Sequence, residues 1–326
     1  MELRKILYLL LFVSTCVTAA DNIKSPIVHD PVMAKDGDRF YLFCTGQDIK
    51  VFSSADMKVW RDEPDVFSTS PKWAENLVPG YKGHTWAPDI IYHNGKYHLF
   101  YSCSTFGKNR SAIGHAVNET LNPADTRYEW VDMGRVVNSV PGRDEWNSID
   151  PNVIVDKQGG AWMAFGSFWD GIKLVRLTDN LDSVAVPEEW YTICQRMSEE
   201  KPDSIAGADA VEAPFLFYHD GYYYLFVSFD YCCRGLNSDY KVVVGRSENI
   251  RGPYSDRNGK LLTKGGGSVL IEGDKKVYAG VGHCAVYDFD GKTIFIAHGY
   301  EIKDNGMSHL VVRDIYWDKN NWPLVK

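Results

Sequence analysis

The sequence predicts an all-β protein folded as a five-bladed β-propeller. One signature recurs five times along the 326 residues: a short motif, then a turn containing Gly, then an aromatic strand. The five motifs are Val28-His-Asp-Pro31, Trp86-Ala-Pro-Asp89, Ser148-Ile-Asp-Pro-Asn152, Val211-Glu-Ala-Pro-Phe215 and the degenerate Gly282-His-Cys-Ala-Val286. Beyond the N-terminus, no long window has helical apolar periodicity. An irregular sandwich would also use many short strands, but it does not explain five equivalent signatures.

The spacing of the copies favours the same architecture. Aligning Pro31, Pro88, Pro151, Pro214 and Ala285 gives steps of 57, 63, 63 and 71 residues, which four short strands and a long loop would fill. Asp-Gly, Asn-Gly or Gly-Gly pairs suited to tight hairpins stand at 36–37, 94–95, 159–160, 220–221 and 290–291. No linker, low-complexity tract or charge run marks a boundary, so we expect residues 21–326 to form a single propeller domain.

The charge balance excludes some partners. The net charge is −8 and the isoelectric point is near 5.6, which argues against a nucleic acid or an anionic membrane surface. A strongly anionic polymer would also be repelled, so a neutral polysaccharide is the favoured substrate. Aromatic residues make up 13% of the chain; most are explained by strand packing, and those in loops can stack on sugar faces. We expect a monomer.

Residues 1–20 have the features of an export signal. Arg4 and Lys5 form a basic start, 6–13 a short apolar stretch and 17–20 a small-residue exit. The apolar stretch is too short to span a membrane. Residues 13–16 also loosely resemble a bacterial lipobox, in which case the signal ends before Cys16 and lipidation of Cys16 tethers the protein. Both alternatives predict an exported protein, periplasmic or extracellular.

The remaining six cysteines do not predict a metal site. They are Cys44, Cys103, Cys194, Cys232, Cys233 and Cys284, and no two of them have Cys-x-x-Cys spacing. The adjacent pair Cys232 and Cys233 can form a vicinal disulfide after export. We expect the other cysteines to be buried thiols.

Three acids, Asp30, Asp150 and Glu212, occupy what we take to be matching points of the repeat. A radial repeat brings equivalent positions to one central place, so these acids should be neighbours. Glycoside hydrolysis needs one protonated carboxyl that donates to the leaving oxygen and one ionised carboxylate that activates water or attacks. A third carboxylate beside the acid would raise its pKa by like-charge repulsion. A lone Asp-Pro is more often a turn residue, but three acids in one phase favour catalysis.

The signatures, together with Gly166-Ser-Phe-Trp-Asp-Gly-Ile-Lys-Leu174, resemble glycoside hydrolase family 43. Within that family they are similar to the endo-α-1,5-L-arabinanases, especially at 166–174 and 228–235. The resemblance covers about residues 25 to 300. It implies a five-bladed propeller and an inverting mechanism in which Asp30 is the general base, Glu212 the general acid and Asp150 the modulator of the acid's pKa and position.

The resemblance also implies a metal and several substrate contacts. His283 matches a histidine near the propeller axis that binds a cation, usually Ca²⁺, completed mainly by water. Calcium normally prefers oxygen ligands, so such a site would be unusual, and Cys284 replaces an Asn common in related enzymes. His29 and Asn152 flank the acids, and Trp86 resembles a stacking residue. Phe106 is a second candidate platform, and Ser167 a candidate hydrogen-bond donor to the sugar.

The leading hypothesis is therefore a secreted endo-arabinanase that cuts the linear α-1,5-arabinan of pectin. The same residues would serve an exo-acting α-L-arabinofuranosidase or β-xylosidase, in which loops close one end of the cleft. A non-catalytic sugar-binding propeller is a more remote alternative, because it would be expected to lose at least one of the three acids.

Overall fold

The structure is a computed structural model that describes residues 22–196 and 210–326. The predicted export signal and Cys16 lie outside these ranges. Within them, no helix is both long and apolar enough to cross a membrane. The fold is almost entirely β, as predicted.

The first thirteen strands form the first three sheets. Their strands are β1 (Val32–Asp36), β2 (Arg39–Cys44), β3 (Gly46–Gln47), β4 (Lys50–Ser54), β5 (Arg61–Glu63), β6 (His84–His93), β7 (Lys96–Cys103), β8 (Ser111–Asn118), β9 (Val131–Ser139), β10 (Asn152–Val155), β11 (Ala161–Phe165), β12 (Ile172–Arg176) and β13 (Trp190–Cys194). One short helix, α1 (Lys72–Leu77), lies in the connection from the first sheet to the second.

The last two sheets complete the fold. Their strands are β14 (Val211–His219), β15 (Tyr222–Phe229), β16 (Lys241–Ser247), β17 (Ser268–Glu272), β18 (Tyr278–Phe289), β19 (Lys292–Glu301), β20 (Met307–Trp317) and β21 (Pro323–Val325). Single 3₁₀ turns occur at Gly235–Asn237, Leu262–Lys264 and Ile302–Asp304.

Each sheet is one antiparallel blade. The strand orders are β1-β2-β4-β5, β3-β6-β7-β8-β9, β10-β11-β12-β13, β14-β15-β16-β17 and β18-β19-β20-β21. The prediction of a five-bladed propeller is therefore confirmed. The segment that precedes β1 pairs with the last blade, where Val28 N–H donates to Ser308 O and Leu310 N–H to Pro26 O, so the N-terminal segment closes the ring.

Three of the five predicted hairpin turns have the expected geometry, whereas at 36–37 the turn is shifted by one residue to 37–38 and at 159–160 the loop is the longer 156–160. Asp220 and Gly221 link β14 to β15 with φ of 43° and 88°, and the flanking residues His219 and Tyr222 are paired. Two positive φ values in a two-residue loop suit the right-handed twist of the strands, which is why Asp-Gly is favoured there. Asn94-Gly95 and Asp290-Gly291 form the same turn in the second and fifth blades.

A bulge in the innermost strand recurs in every blade and corrects the sequence alignment. Its central residue has a positive φ in all five copies, at Asp30, Ala87, Asp150, Ala213 and His283. The strand register breaks between Trp86 and Asp89, between Glu212 and Phe215, and between Gly282 and Ala285. Cys284, not Ala285, therefore corresponds to the prolines. The alignment was wrong by one residue there because this copy lacks the proline that marks the phase.

The same register shows that the three acids do not share one phase. Asp30 and Asp150 occupy the bulge position, together with His283. Glu212 lies one residue earlier, level with Trp86 and Gly282. The acids still converge, because both positions are next to the bulge at the inner end of a blade.

Five hydrogen bonds join these bulges around the ring. Each bulge N–H donates to a side chain of the preceding blade: Ala87 to Thr45 Oγ1 (2.8 Å), Asp150 to Ser102 Oγ (3.0 Å), Ala213 to Asp150 Oδ2 (3.1 Å), His283 to Ser228 Oγ (2.8 Å) and Asp30 to His298 Nδ1 (3.1 Å). A positive φ is rare for residues other than Gly and is kept only where its surroundings hold it. The inter-blade bonds supply that constraint.

Candidate active site

Asp30 lies at the centre of a cluster of histidines. Its Oδ1 is 2.8 Å from Nδ1 of His29 and 2.9 Å from Nδ1 of His283, and its Oδ2 accepts a 2.5 Å hydrogen bond from Thr45 Oγ1. Burial alone would raise the pKa of Asp30, but the positive charge of His283 and the hydrogen bonds that His283 and His29 donate outweigh it and hold this pKa well below its usual range. Asp30 is therefore ionised over the whole range in which proteins work, as a general base requires.

Glu212 has the opposite electrostatic environment. Its carboxylate accepts hydrogen bonds from Ser167 Oγ at Oε2 and from the Tyr240 hydroxyl at Oε1, both at 2.8 Å. Burial raises the pKa of Glu212 despite these two donors, and the negative charge of Asp30 adds to the effect. Two carboxyl groups whose environments push their pKa values apart are the pattern of an acid and base pair.

Asp150 is linked by a hydrogen bond to the backbone next to Glu212. Its Oδ2 accepts the N–H of Ala213, the residue that follows Glu212. Burial, and then the like charges of Glu212 and Asp30, raise the pKa of Asp150 well above its usual value. Because the charge of Glu212 is itself one of the causes that raise the pKa of Asp150, the two carboxyl groups titrate as a coupled pair. The structure thus brings all three predicted acids into one site.

His283 is buried and its ring is directed at Asp30. Its pKa is raised to about 9, since the favourable charge and hydrogen bond of Asp30 outweigh a burial effect that would lower it. With Nδ1 on Asp30, a cation could bind only at Nε2, where it would replace the proton that the raised pKa keeps on that nitrogen at neutral pH. Two groups of described residues have three ligand atoms close enough together to share a metal, His29 with Cys232 and Cys233 and His29 with Asp30 and His298, and neither includes His283. The donor set fits a cation held by one nitrogen and completed by water, and it does not fit a protein-built calcium cage.

His29 is held by partners on three sides. Its ring stacks on His298 with centroids 3.9 Å apart, and its Nε2 is 2.8 Å from the hydroxyl of Tyr300. Cys233 Sγ lies 3.6 Å from the same nitrogen. About a quarter of its side chain is exposed (26%), so His29 both contacts Asp30 and is open to a ligand.

Cys232 and Cys233 form the predicted vicinal disulfide at the rim of the site. Since both sulfurs are bonded to each other, they are not available as metal ligands with His29. The other four cysteines of the propeller are buried free thiols, as expected: Cys44, Cys103, Cys194 and Cys284.

The predicted substrate contacts are placed differently from one another. Trp86 is half-buried at the blade position equivalent to that of Glu212, and its indole N–H donates to His84 Nδ1. Phe106 is 82% exposed. Ser167 is buried and donates to the carboxylate of Glu212, so it holds that carboxylate in place.

Asn152 has a different set of partners from the one the sequence suggested. Its amide N–H donates to Asp89 Oδ2 at 3.3 Å and its Oδ1 accepts Leu216 N–H at 2.8 Å. The side chain is buried and links the second, third and fourth blades. Both ends of the amide are engaged in contacts between blades, and this explains the side chain without a substrate.

Sequence reasoning missed four side chains that touch the acids or their partners: Thr45, Tyr240, His298 and Tyr300. A signal was present for two of them. Thr45 and His298 lie opposite the residue that precedes the bulge, the same position as Ser102 and Ser228, so a polar residue recurs there. Tyr240 is accommodated because Gly282 faces it: a Cβ on Gly282 would lie 2.0 Å from the tyrosine ring.

Comparison with known proteins gives consistent matches over nearly the whole chain. The model of the family "Glycosyl hydrolases family 43" matches residues 22–323. An extracellular exo-α-(1→5)-L-arabinofuranosidase of Cellvibrio japonicus is 48% identical over 311 residues, 95% of this chain and 89% of that one. An extracellular endo-α-(1→5)-L-arabinanase of Bacillus subtilis is 40% identical over 301 residues, 91% of this chain and 87% of that one. The crystal structure of an exo-1,5-α-L-arabinanase from a bovine ruminal metagenomic library superposes with a TM-score of 0.88 at 50% identity, covering 93% of this chain and 98% of that one.

Proposed function

The chain belongs to glycosyl hydrolase family 43, and on this basis we propose that it hydrolyses the α-1,5-L-arabinofuranosyl linkages of arabinan with inversion of configuration. That it is a glycoside hydrolase follows from the family. The substrate is supported by the arabinan-degrading relatives. The observation that supports the mechanism is the contrast between Asp30, whose pKa two histidines lower despite its burial, and Glu212, whose pKa burial raises.

In this mechanism Glu212 donates its proton to the leaving glycosidic oxygen while Asp30 takes a proton from the attacking water. The water approaches the anomeric carbon from the opposite face, which requires roughly 6.5–9.5 Å between the two carboxyl groups. Asp150 acts as the modulator of Glu212: the like charge of Glu212 raises the pKa of Asp150, and by the same repulsion an ionised Asp150 opposes loss of the proton of Glu212. Asp150 also orients the backbone that follows Glu212 by accepting Ala213 N–H. His29 and Trp86 contact the sugar beside the acids.

We propose that the enzyme releases short products from chain ends. This is the alternative that the sequence analysis placed second, and it is favoured here because the exo-acting relatives are 48% and 50% identical whereas the endo-acting one is 40% identical. Internal cutting remains the second candidate, supported by the endo-acting relative of Bacillus subtilis. Export is supported by the extracellular relatives and by the signal predicted at 1–20.

We also propose a calcium ion at His283, bound through Nε2. When bound, the ion would add positive charge near the acids. The chain's own contribution there is to hold His283 with its Nδ1–H donating to Asp30.

A time course of products from debranched linear arabinan tests the proposal, with Glu212→Ala as the control. Short products of one size from the first minutes, with a slow fall in viscosity, are expected for the exo-acting enzyme. Mixed oligosaccharides with a rapid fall in viscosity would establish the endo mode instead. If the wild-type protein binds arabinan and makes no product, it is a sugar-capturing propeller and the proposal fails.

A further inference from the structure

A closed loop of hydrogen bonds runs from the backbone of Asp30 to its own carboxylate. The bonds are Asp30 N to His298 Nδ1 (3.1 Å), His298 Nε2 to the Tyr300 hydroxyl (3.2 Å), the Tyr300 hydroxyl to His29 Nε2 (2.8 Å) and His29 Nδ1 to Asp30 Oδ1 (2.8 Å). A fifth bond enters the loop from outside, from Cys233 N to the Tyr300 hydroxyl at 2.7 Å. His298 is fully buried and Tyr300 is 4% exposed. Because His298 and Tyr300 have almost no access to water, their polar atoms must find hydrogen-bond partners within the loop.

The direction of each bond follows from what each atom can donate. A backbone N–H can only donate, so His298 Nδ1 must accept from Asp30 and carries no proton. A neutral imidazole has one protonated nitrogen, so the proton of His298 is on Nε2 and is donated to the oxygen of Tyr300.

The oxygen of Tyr300 then receives two hydrogen bonds, from His298 Nε2–H and from Cys233 N–H. Its own proton must go to the one remaining neighbour in the loop, which is His29 Nε2. That nitrogen is therefore an acceptor, and the proton of His29 is on Nδ1, where it is donated to Asp30 Oδ1. A doubly protonated His29 would place three donors on one phenolic oxygen and leave the tyrosine proton without an acceptor in the loop.

We propose that Tyr300 is a positioning residue that holds His29 as the neutral Nδ1–H tautomer, so that His29 donates a fixed hydrogen bond to the carboxylate of Asp30. Tyr300 contacts His298 on one side and the Cys232–Cys233 turn on the other. The orientation of both therefore affects His29 and, through its hydrogen bond, the carboxylate of Asp30. The catalytic consequence rests on the proposed role of Asp30, whereas the tautomers follow from the geometry alone.

The test is ¹⁵N NMR of histidine side chains in the full-length protein at neutral pH. The signals of His29 and His298 are assigned by their loss in His29→Gln and His298→Gln. We expect wild-type His29 with a protonated Nδ1 and an unprotonated Nε2, and His298 with the reverse. In Tyr300→Phe, the single tautomer of His29 should be lost, and kcat on arabinan should fall about tenfold with KM changed less than twofold, the loss of one hydrogen bond in the chain that supports a charged group.

Tyr254→Phe is the matched control, because it removes another buried tyrosine hydroxyl, one that donates to the backbone oxygen of Ile250 at 2.7 Å. It should leave both tautomers and kcat unchanged. A doubly protonated His29 in the wild type, or a His29 protonated only at Nε2, would overturn the proposal even if Tyr300→Phe does not fold. So would a Tyr300→Phe protein with the wild-type tautomer and wild-type kcat. If the tautomers are as expected but the wild type does not cleave arabinan, the proposed function fails and the assignment of Tyr300 stands.

Discussion

Replacing Tyr240 with Phe should raise the pH at which the enzyme loses activity on the alkaline side. The hydroxyl of Tyr240 donates to Glu212 Oε1 at 2.8 Å, and Ser167 donates to the other oxygen. Both donors stabilise the ionised carboxylate and so oppose the rise in pKa that burial causes. Without Tyr240, Glu212 keeps its proton to a higher pH. A hydrogen bond to a charged group contributes about 1.5–3 kcal/mol, and one pKa unit corresponds to about 1.4 kcal/mol, so the shift is about 1 to 2 units upward.

The assay is the pH profile of kcat/KM on linear arabinan, whose alkaline limb reports the essential acid of the free enzyme. Because Glu212 and Asp150 titrate as a coupled pair, the alkaline limb reports the higher of the two apparent pKa values of that pair. Tyr240→Phe should raise this value. Tyr254→Phe is the control for loss of a buried tyrosine hydroxyl remote from the acids. Ser167→Ala should move the limb in the same direction.

Two results would refute this reasoning. An alkaline limb that moves to lower pH would mean that Tyr240 holds the protonated form of its partner. A limb that stays within a few tenths of a unit of the wild type, in a folded and active variant, would mean that Glu212 is not the group whose deprotonation ends catalysis.

Three further predictions concern stability, stereochemistry and the cation. Burial, and then the neighbouring His98, lower the pKa of His115 from 6.5 to about 4. As the pH falls, the unfolded chain binds this proton before the folded protein does, so the free energy of unfolding should fall by about 3 kcal/mol between pH 6.5 and 4. Urea unfolding of His115→Asn should show a smaller fall over this range, and an equal fall would contradict the assignment. Proton NMR of the first product should show the β-anomer at the new reducing end, whereas the α-anomer would exclude inversion. Calcium titrated calorimetrically into EDTA-treated protein should bind weakly through His283, and binding that persists unchanged in His283→Ala would place the ion elsewhere.

The repeat and its turns could be predicted from sequence because each depends on local chemistry. Asp-Gly and Asn-Gly pairs such as Asp220-Gly221 and Asn94-Gly95 favour a tight turn through their local chemistry. Five copies of one signature likewise favour a radial fold. The one-residue offset of the fifth copy could not be predicted. The bulge centred on His283 has the same backbone geometry as the other four bulges, but no proline follows it to mark its position in the sequence.

The three acids could likewise be predicted from the sequence, but their hydrogen-bond partners could not. Tyr240 and Tyr300 reach Glu212 and His29 from strands or loops 28 and 271 residues away, and nothing local in the sequence marks them. Asn152 shows the opposite case. Its place beside Asp150 suggested a sugar contact, whereas its amide is used between blades, a role that only the neighbouring strands reveal.

The most direct test of the acid and base assignment compares two substrates in two variants. One is linear arabinan, and the other is an arabino-oligosaccharide with a dinitrophenyl leaving group, which departs without protonation. Glu212→Ala should lose about 10²–10⁴-fold in kcat/KM on arabinan and stay near the wild type on the activated substrate, whereas Asp30→Ala should be inactive on both. Equal losses on both substrates in Glu212→Ala, or substantial activity in Asp30→Ala, would contradict the account.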